Sequence, residues 1–417
     1  MKRNISNEVS NDNGVVKFLC FLAFPFFTTM YCLKHAKTKS SQLVFFMFGL
    51  LFAWSINYTN INAGIDFIEV VRSFYNFSNI SLNDIVDNYL NMFESGEIRT
   101  YQLIIFGISR LFSDNYHFMY LVASIPFTIC MVSSIGQLTG DKKYTNSWTC
   151  FIMLILFLLP KDFFSIQNFR YATATWMAVY ATMQVAYNND KRYLLLLFVT
   201  PLVHTSFFFY IAAFIFCFLI SNVSINRILQ LYFFTIPFAF LSSDLSSHLN
   251  FSILPVGLQK WVETYLSDES FATYGNLNYM DGSGSYFVPA VFSLVKTVLY
   301  VIIPVIISRR VELNSLSIKQ LSLLRFFIVF FALTNIVQFV PSLGSRNFGI
   351  VRILSVFVWM KIMFPKAGNY IYFLMFSCLF ELCFETIKHY GMALDIDFYF
   401  MNVISLIYKN LNITSFV

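Results

Sequence analysis

The sequence predicts an all-α membrane protein, a polytopic bundle of about twelve transmembrane helices in which residues 1–417 form a single domain. Of the 417 residues, 57% are hydrophobic and only 12% are charged, whereas a soluble globular domain carries about 25% charged residues. Apolar runs of about 20 residues also recur along the whole chain, which is the helix length that a 30 Å hydrocarbon core requires. Phe contributes 52 residues and Tyr 24, and both side chains suit lipid or its interface with water.

Each apolar run of sufficient length predicts one span. The predicted spans cover residues 15–33, 42–58, 117–136, 147–164, 171–187, 193–204, 206–220, 228–243, 286–307, 319–340, 349–364 and 369–387. The apolar segment 101–112 is too short to cross and carries Arg110, so it predicts a re-entrant or surface helix. Pro201 and His204 interrupt the long run 193–220, so two helices separated by a break are predicted there.

The connecting segments predict the orientation. Segments 59–100 and 244–285 are polar and acidic and too long for ordinary connections, so they predict two larger outer loops. The short loops are rich in Lys and Arg, which places them in the cytoplasm by the positive-inside rule; they cover 34–41, 137–146, 188–192, 221–227, 308–319 and 365–369. Both acidic loops and the N-terminus are then predicted on the periplasmic side. The polar first 14 residues and the missing cleavage site predict no removable signal peptide.

Several classes of function are not indicated. The net charge of +6 is scattered along the chain, so no nucleic-acid partner is predicted. The seven cysteines lack a CxxC pair and lie mostly inside apolar runs, so neither a zinc site nor a disulfide framework is predicted, and no cofactor is expected. Asp395-Ile396-Asp397 is a DxD pattern, but it follows the last predicted span on the outer side, where nucleotide sugars are absent.

Arginines at predicted outer helix ends are the strongest sign of a binding site. Arg170, Arg346 and Arg352 fall there, although basic residues are generally biased toward the cytoplasm. A guanidinium group forms permanently charged, bidentate hydrogen bonds with phosphate, so the three predict a site for a phosphorylated lipid headgroup. The alternative is that each arginine reaches ordinary lipid headgroups.

Other polar residues on the predicted outer side could contribute. His204 follows the break after Pro201 and could act as a base or a phosphate ligand, or be structural. In the first outer loop, Asp66 and Glu97 are candidate carboxylate bases, although a loop carboxylate is commonly just a solvated charge. Gln167 and Asn168 precede Arg170 in the same short outer turn.

Short motifs in order along the chain resemble the O-antigen and exopolysaccharide polymerases, the Wzy and EpsG-like group. The motifs are Gly64-Ile65-Asp66 in an outer loop, Glu97 and Tyr101 before a short apolar segment, NFRYATA (168–174), KRYLLLLFVTPLVHTSFFF (191–209) and SRNFGIVR (345–352). The family usually has Asn-Ile-Arg-Gln where this chain has Asn168-Phe169-Arg170-Tyr171. The arginine is therefore kept and the residue after it is changed.

The resemblance implies a glycosyltransferase of the bacterial inner membrane that polymerises undecaprenyl-diphosphate-linked oligosaccharide repeat units at the outer face, as in lipopolysaccharide biosynthesis. The growing glycan leaves its lipid diphosphate and joins the free sugar end of the next lipid-linked unit. The implied catalytic residues are Arg170, His204, Asp66 and Glu97, the implied diphosphate ligands are Arg170, Arg346 and Arg352, and the implied substrate-binding residues are Gln167, Asn168 and Tyr101. The implied partners are the lipid-linked substrates, membrane lipids and a chain-length regulator protein, and no metal is required.

The residues leave other functions open. An O-antigen ligase or another lipid-linked glycan transferase uses the same leaving group, so the sequence separates these enzymes poorly. A flippase or other polysaccharide transporter predicts internal repeats and short loops on both sides, but the chain shows no repeat and has two long loops. A membrane acyltransferase would place its histidine on the cytoplasmic side, whereas His204 is predicted on the outer side.

Overall fold

A computed structural model describes most of the chain. The described residues are 13–56, 65–77, 100–145, 147–240, 311–338, 340–364 and 397–411, together with 305, 307 and 372. Within these ranges every regular element is helical, which confirms the predicted all-α class. The loop 244–285, most of the loop 59–100 and almost all of the predicted spans 286–307 and 369–387 lie outside the described residues.

The helices follow in chain order. The first half contains α1 (Gly14–Ala23), α2 (Pro25–Lys34), α3 (Lys39–Ser55), α4 (Ile65–Phe77), α5 (Thr100–Arg110), α6 (Tyr116–Thr139), α7 (Trp148–Leu158) and α8 (Phe169–Thr182). The second half contains α9 (Leu194–Val203), α10 (Phe207–Leu219), α11 (Ile225–Thr235), α12 (Ile318–Ile336), α13 (Pro341–Val358), α14 (Asp397–Phe400) and α15 (Val403–Leu411). The 3₁₀ turns are Leu159–Lys161, Phe163–Asn168, Lys191–Tyr193, Ile236–Phe240 and Leu313–Ser315, and π-helical turns extend α8 (Met183–Tyr187) and α13 (Trp359–Met363).

Three helical segments of the described chain are long and apolar enough to cross a membrane, namely Tyr116–Thr139, Trp148–Tyr187 and Ile318–Ile336. They are consistent with a membrane protein, but the predicted count of about twelve spans is not supported. Several predicted spans are broken into short helices, and the predicted spans 286–307 and 369–387 lie almost wholly outside the described residues. The predicted span 193–204, for example, is the ten-residue helix α9, and ten residues of helix cover about 15 Å, half of the hydrocarbon core.

The segment Trp148–Tyr187 folds back on itself. Phe157 in α7 lies edge-on against Trp176 in α8, with 5.4 Å between ring centroids. The Trp176 indole Nε1 also donates to the carbonyl oxygen of Lys161 over 2.9 Å. A straight helix would hold residues 157 and 176 about 28 Å apart. The chain therefore reverses through the two 3₁₀ turns between α7 and α8, which agrees with the turn predicted between the spans 147–164 and 171–187.

Contacts between distant turns place several basic loops at one end of the bundle, which we call the lysine-rich end. Asn188, after α8, donates from Nδ2 to Gln137 Oε1 over 3.0 Å near the end of α6. Lys361, at the end of α13, donates to the Gln137 carbonyl oxygen over 3.1 Å. The start of α3 joins them, because a Cβ built on Gly136 would lie 3.4 Å from the Gln42 side chain. The predicted grouping of the loops at 34–41, 137–146 and 188–192 on one side is therefore confirmed.

The N-terminal helices contradict the predicted single span 15–33. The chain breaks at Phe24, where φ is −142° and ψ is 75°, because the residue before a proline is disfavoured in the helical conformation. A Cβ built on Gly14 would lie 3.5 Å from the Ser40 Cβ. Lys17 Nζ donates to three hydroxyl groups around the turn between α2 and α3, over 2.9 to 3.1 Å. The helices α1 and α2 therefore form an antiparallel hairpin, and both of its ends lie at the lysine-rich end.

Helices α3, α6 and α8 form the centre of the bundle and pack side by side. Gly49 in α3 permits close approach to α6, since a Cβ at this position would lie 2.6 Å from Thr128 Oγ1. The short helix α5, predicted as a re-entrant or surface helix over 101–112, packs against α6. This packing lies at the end of the bundle opposite the lysine-rich end, where α6 and α8 begin.

Candidate functional site

A cluster of polar and cationic side chains lies at the end opposite the lysine-rich end, around Tyr171 in the first turn of α8. The Tyr171 hydroxyl donates to the Arg346 carbonyl oxygen in α13 over 2.6 Å. The Tyr171 ring lies edge-on to His204, with 5.3 Å between centroids. Tyr171 thus joins three parts of the chain that the sequence analysis had considered separately. We call Lys161, Arg170, Tyr171, His204 and Arg346 the Tyr171 cluster.

The sequence places His204 by ending a helix just before it. The helix α9 ends at Val203, and His204 adopts an extended conformation while its N–H still donates to the Thr200 carbonyl oxygen over 2.9 Å. The break predicted at Pro201 and His204 is confirmed, although Pro201 itself stays within α9. His204 is buried at this break, where it is only 9% exposed.

Hydrogen bonds define what the His204 ring can do. The backbone N–H of Ser206 donates to Nδ1 over 3.3 Å, and the Ser206 hydroxyl lies 2.8 Å from the same nitrogen. A neutral ring whose Nδ1 accepts a hydrogen bond carries its proton on Nε2. This geometry favours His204 as a hydrogen-bond donor through Nε2 over the predicted role of a base.

Three cationic groups surround the same pair of rings. Lys161 Nζ lies 4.8 Å from the centroid of the Tyr171 ring, and Arg346 Cζ lies 5.4 Å from it. Arg170 adjoins Tyr171 in the first turn of α8. Cations that are concentrated at a partly buried site raise the local positive potential and so favour binding of an anion. The cluster is therefore suited to a multiply charged anionic group such as a phosphate.

Lys161 was not singled out in the sequence. The signal that could have found it is the Pro160-Lys161-Asp162 interruption of an otherwise apolar run. The Leu159–Lys161 turn takes a 3₁₀ form with proline in its first positions, and the chain begins its reversal there. A charged residue at such a reversal lies where helix ends meet. Lys161 therefore lies over the ring of Tyr171, at the start of α8.

The structure corrects the predicted position of Arg346. The predicted outer turn at residues 345–347 is the second turn of α13, because this helix begins with Pro341 and not near residue 349. Proline is favoured at the first position of a helix, because a backbone N–H at that position would have no partner within the helix. Arg352 lies about 9 Å further along the α13 axis than Arg346 and about 120° around it. Arg346 is in direct contact with Tyr171.

The predicted substrate-binding residues lie close to the cluster in different ways. Gln167 and Asn168 end the 3₁₀ turn just before α8, and the Gln167 carbonyl oxygen accepts a hydrogen bond from the Tyr120 hydroxyl over 3.4 Å. The Tyr101 hydroxyl donates to the Ala123 carbonyl oxygen over 3.2 Å. Its ring packs against Phe169, the residue before Arg170, at a centroid distance of 5.8 Å. Tyr101 thus contacts both α6 and the start of α8.

The predicted carboxylate bases are described only in part. Asp66 is the second residue of α4, a helix that packs against the 3₁₀ turn Phe163–Asn168. Its side chain and the whole of Glu97 lie outside the described residues. The second aspartate of the DxD pattern, Asp397, forms an ion pair with Lys409 at 2.8 Å. Among the described residues, no group of three or more His, Cys, Asp or Glu could hold a metal ion.

The fold and the site together define a class, namely a helical membrane protein with a cationic cluster at one end of its bundle. The chain matches no known family model, no curated protein and no solved structure. The geometry of the Tyr171 cluster and the residues of the sequence are therefore what indicate a function.

Proposed function

We propose that the chain is a glycosyltransferase that polymerises undecaprenyl-diphosphate-linked oligosaccharide repeat units into O-antigen or a similar surface polysaccharide. The observation that carries the proposal is that Lys161 and Arg346 lie over the Tyr171 ring, which adjoins Arg170 in sequence and packs against His204. This arrangement is what a departing lipid diphosphate needs, since fixed cations stabilise the charge that develops on the leaving group.

The proposed topology puts this reaction at the outer face of the inner membrane. The lysine-rich end is cytoplasmic by the positive-inside rule, so the Tyr171 cluster at the opposite end faces the periplasm. A polytopic bundle with two periplasmic loops, 59–100 and 244–285, remains part of the proposal. Lipid-linked substrates would then reach the cluster from the membrane with their diphosphates at the interface.

The proposed reaction assigns a role to each group. The acceptor sugar hydroxyl attacks the anomeric carbon of the donor glycan while the bond from that carbon to the diphosphate oxygen breaks. Arg170, Arg346 and Lys161 hold the diphosphate, which leaves as undecaprenyl diphosphate. His204 donates a hydrogen bond to the diphosphate through Nε2. The hydroxyl proton passes to a carboxylate of the first outer loop, Asp66 or Glu97. Packing of α4 against the turn before Arg170 supports Asp66 for this role.

The test is a gene deletion followed by gel electrophoresis of extracted surface polysaccharide. A polymerase mutant should leave a single capped repeat unit in place of the ladder of long chains, and the wild-type gene should restore the ladder. Loss of all surface polymer, including the single unit, would instead indicate the ligase. An unchanged ladder would overturn both assignments.

A further inference from the structure

The α1–α2 hairpin exposes apolar side chains along both of its helices. Its outward residues that are more than half exposed are Val15, Val16, Leu19, Phe24, Phe27 and Tyr31. The opposite face is packed, since Phe21 and Cys32 are buried. The hairpin therefore has one side against the bundle and one apolar side directed away from it.

The dimensions of the hairpin match half of a bilayer. Each helix has ten residues, which gives a length of about 15 Å against a hydrocarbon core of about 30 Å. The position of the tip agrees, because Phe26 near the tip packs against Phe48 with 6.5 Å between centroids. Phe48 lies about 14 Å along α3 from Lys39. The tip thus reaches the middle of a helix that starts at the lysine-rich end.

Polar contacts hold both ends of the hairpin at the lysine-rich end. Lys17 is the main charged side chain in the first turns of α1, and its ammonium group donates to the hydroxyls of Thr38, Ser40 and Ser41. Lys34 ends α2. Charged groups are strongly disfavoured at the centre of a bilayer and are placed at its interface by their long side chains. The tip carries no such group, since it consists of Ala23, Phe24 and Pro25.

We propose that the α1–α2 hairpin is a re-entrant membrane element that enters one leaflet from the lysine-rich side and returns to the same side. Its exposed face contacts the acyl chains of that leaflet. Phe24 lies near the bilayer midplane, and Asn13 and Lys34 lie at one interface. A break in the backbone is tolerated at this depth because the Phe24 N–H and carbonyl remain bonded to Cys20 and Thr28. This inference does not depend on the proposed polymerase activity.

The first test compares single cysteines in the full chain after replacement of the seven natural ones. Asn13→Cys should react with an impermeant maleimide from the same side as Lys191→Cys at the lysine-rich end. Asp114→Cys, in the turn before α6, should react from the other side. If α1 and α2 formed one span, Asn13→Cys would follow Asp114→Cys, and the proposal would be overturned. The comparison is internal, so it holds whichever end is cytoplasmic.

The second test measures depth with nitroxide labels on the purified chain in vesicles of phosphatidylethanolamine and phosphatidylglycerol. Labels at Val15, Phe24 and Tyr31 should all be accessible to oxygen, with Phe24 the deepest and the other two at similar, shallower depths. Phe27→Cys provides a second position near the tip if Phe24→Cys does not accumulate. Access of a water-soluble nickel reagent to the tip would show that the hairpin lies at the surface. Exclusion of oxygen from all three positions would show that protein covers the face; either result overturns the proposal.

Discussion

The bond from the Tyr171 hydroxyl to Arg346 offers a sharp test of the site. Tyr171→Phe removes a hydrogen bond of 2.6 Å but keeps the ring that packs on His204 and lies under Lys161. A bond of this kind contributes about 1 kcal/mol net. If all of it serves to hold Arg346 in place for the transition state, the rate constant should fall roughly fivefold.

Tyr171→Ala should have a much larger effect. It removes the ring as well as the hydroxyl, so Lys161, His204 and Arg346 lose their common contact. Loss of one well-placed group that stabilises developing charge typically lowers the rate about a hundredfold, or about 3 kcal/mol. Long polymer should then disappear, while the single capped unit remains.

The assay is the initial rate of polymerisation by purified protein with a lipid-linked repeat unit, normalised to folded protein. Tyr180→Phe is the matched control, because it lies in the same helix and its hydroxyl contacts Tyr193 at 3.3 Å, nearer the lysine-rich end. It should leave the rate nearly unchanged. If Tyr171→Ala polymerised as fast as Tyr180→Phe, the Tyr171 cluster would not be the reaction site.

Three further predictions concern charged groups. Arg170→Lys should lose nearly as much activity as Arg170→Ala, about a hundredfold in the polymerisation rate, because a point charge cannot reproduce bidentate binding. Normal polymer from the lysine variant would show that Arg170 is an ordinary headgroup contact. Lys161→Met should raise the KM for the lipid-linked donor in the same assay, and an unchanged KM would remove Lys161 from the site. Asp141→Asn should lower the melting temperature of the purified protein, since it leaves Lys361, only 5% exposed, without its carboxylate at 3.0 Å, and breaking a buried pair destabilises by about 3–5 kcal/mol. Asp190→Asn, at an exposed pair, is its control and should have little effect, so equal melting temperatures would contradict the argument.

The sequence was sufficient for features that composition and charge dictate. Scarcity of charge predicts helices in lipid, because backbone groups there must be bonded internally, and every regular element of the described residues is helical. The lysines of the short loops predicted a common end, which the contact of Asn188 with Gln137 confirms. The break at His204 was also visible, because proline and a polar step interrupt an apolar run.

The errors arose where one residue changes the course of the chain. Hydropathy over 15–33 is continuous, so it does not register the single non-helical residue Phe24 that turns one predicted span into a hairpin. Pro341 was a usable signal for the start of α13, but the apolar pattern alone placed that start near residue 349. Tyr171 was noticed only as a departure from a family motif. Its partners Arg346 and His204 are distant in sequence, and no local pattern predicts such a contact.

Helices α8 and α13, which supply Arg170, Tyr171 and Arg346 of the Tyr171 cluster, are joined at both ends. At the outer end, Tyr171 in α8 bonds to Arg346 in α13. At the lysine-rich end, the π-helical turns that extend these helices meet, and Lys361 Nζ lies 5.1 Å from the centroid of the Tyr187 ring. Two connections about 24 Å apart along α8 restrict sliding of one helix against the other. The helices that carry Arg170 and Arg346 are therefore held in position before any anion binds, which is the condition under which fixed charges lower a reaction barrier most effectively.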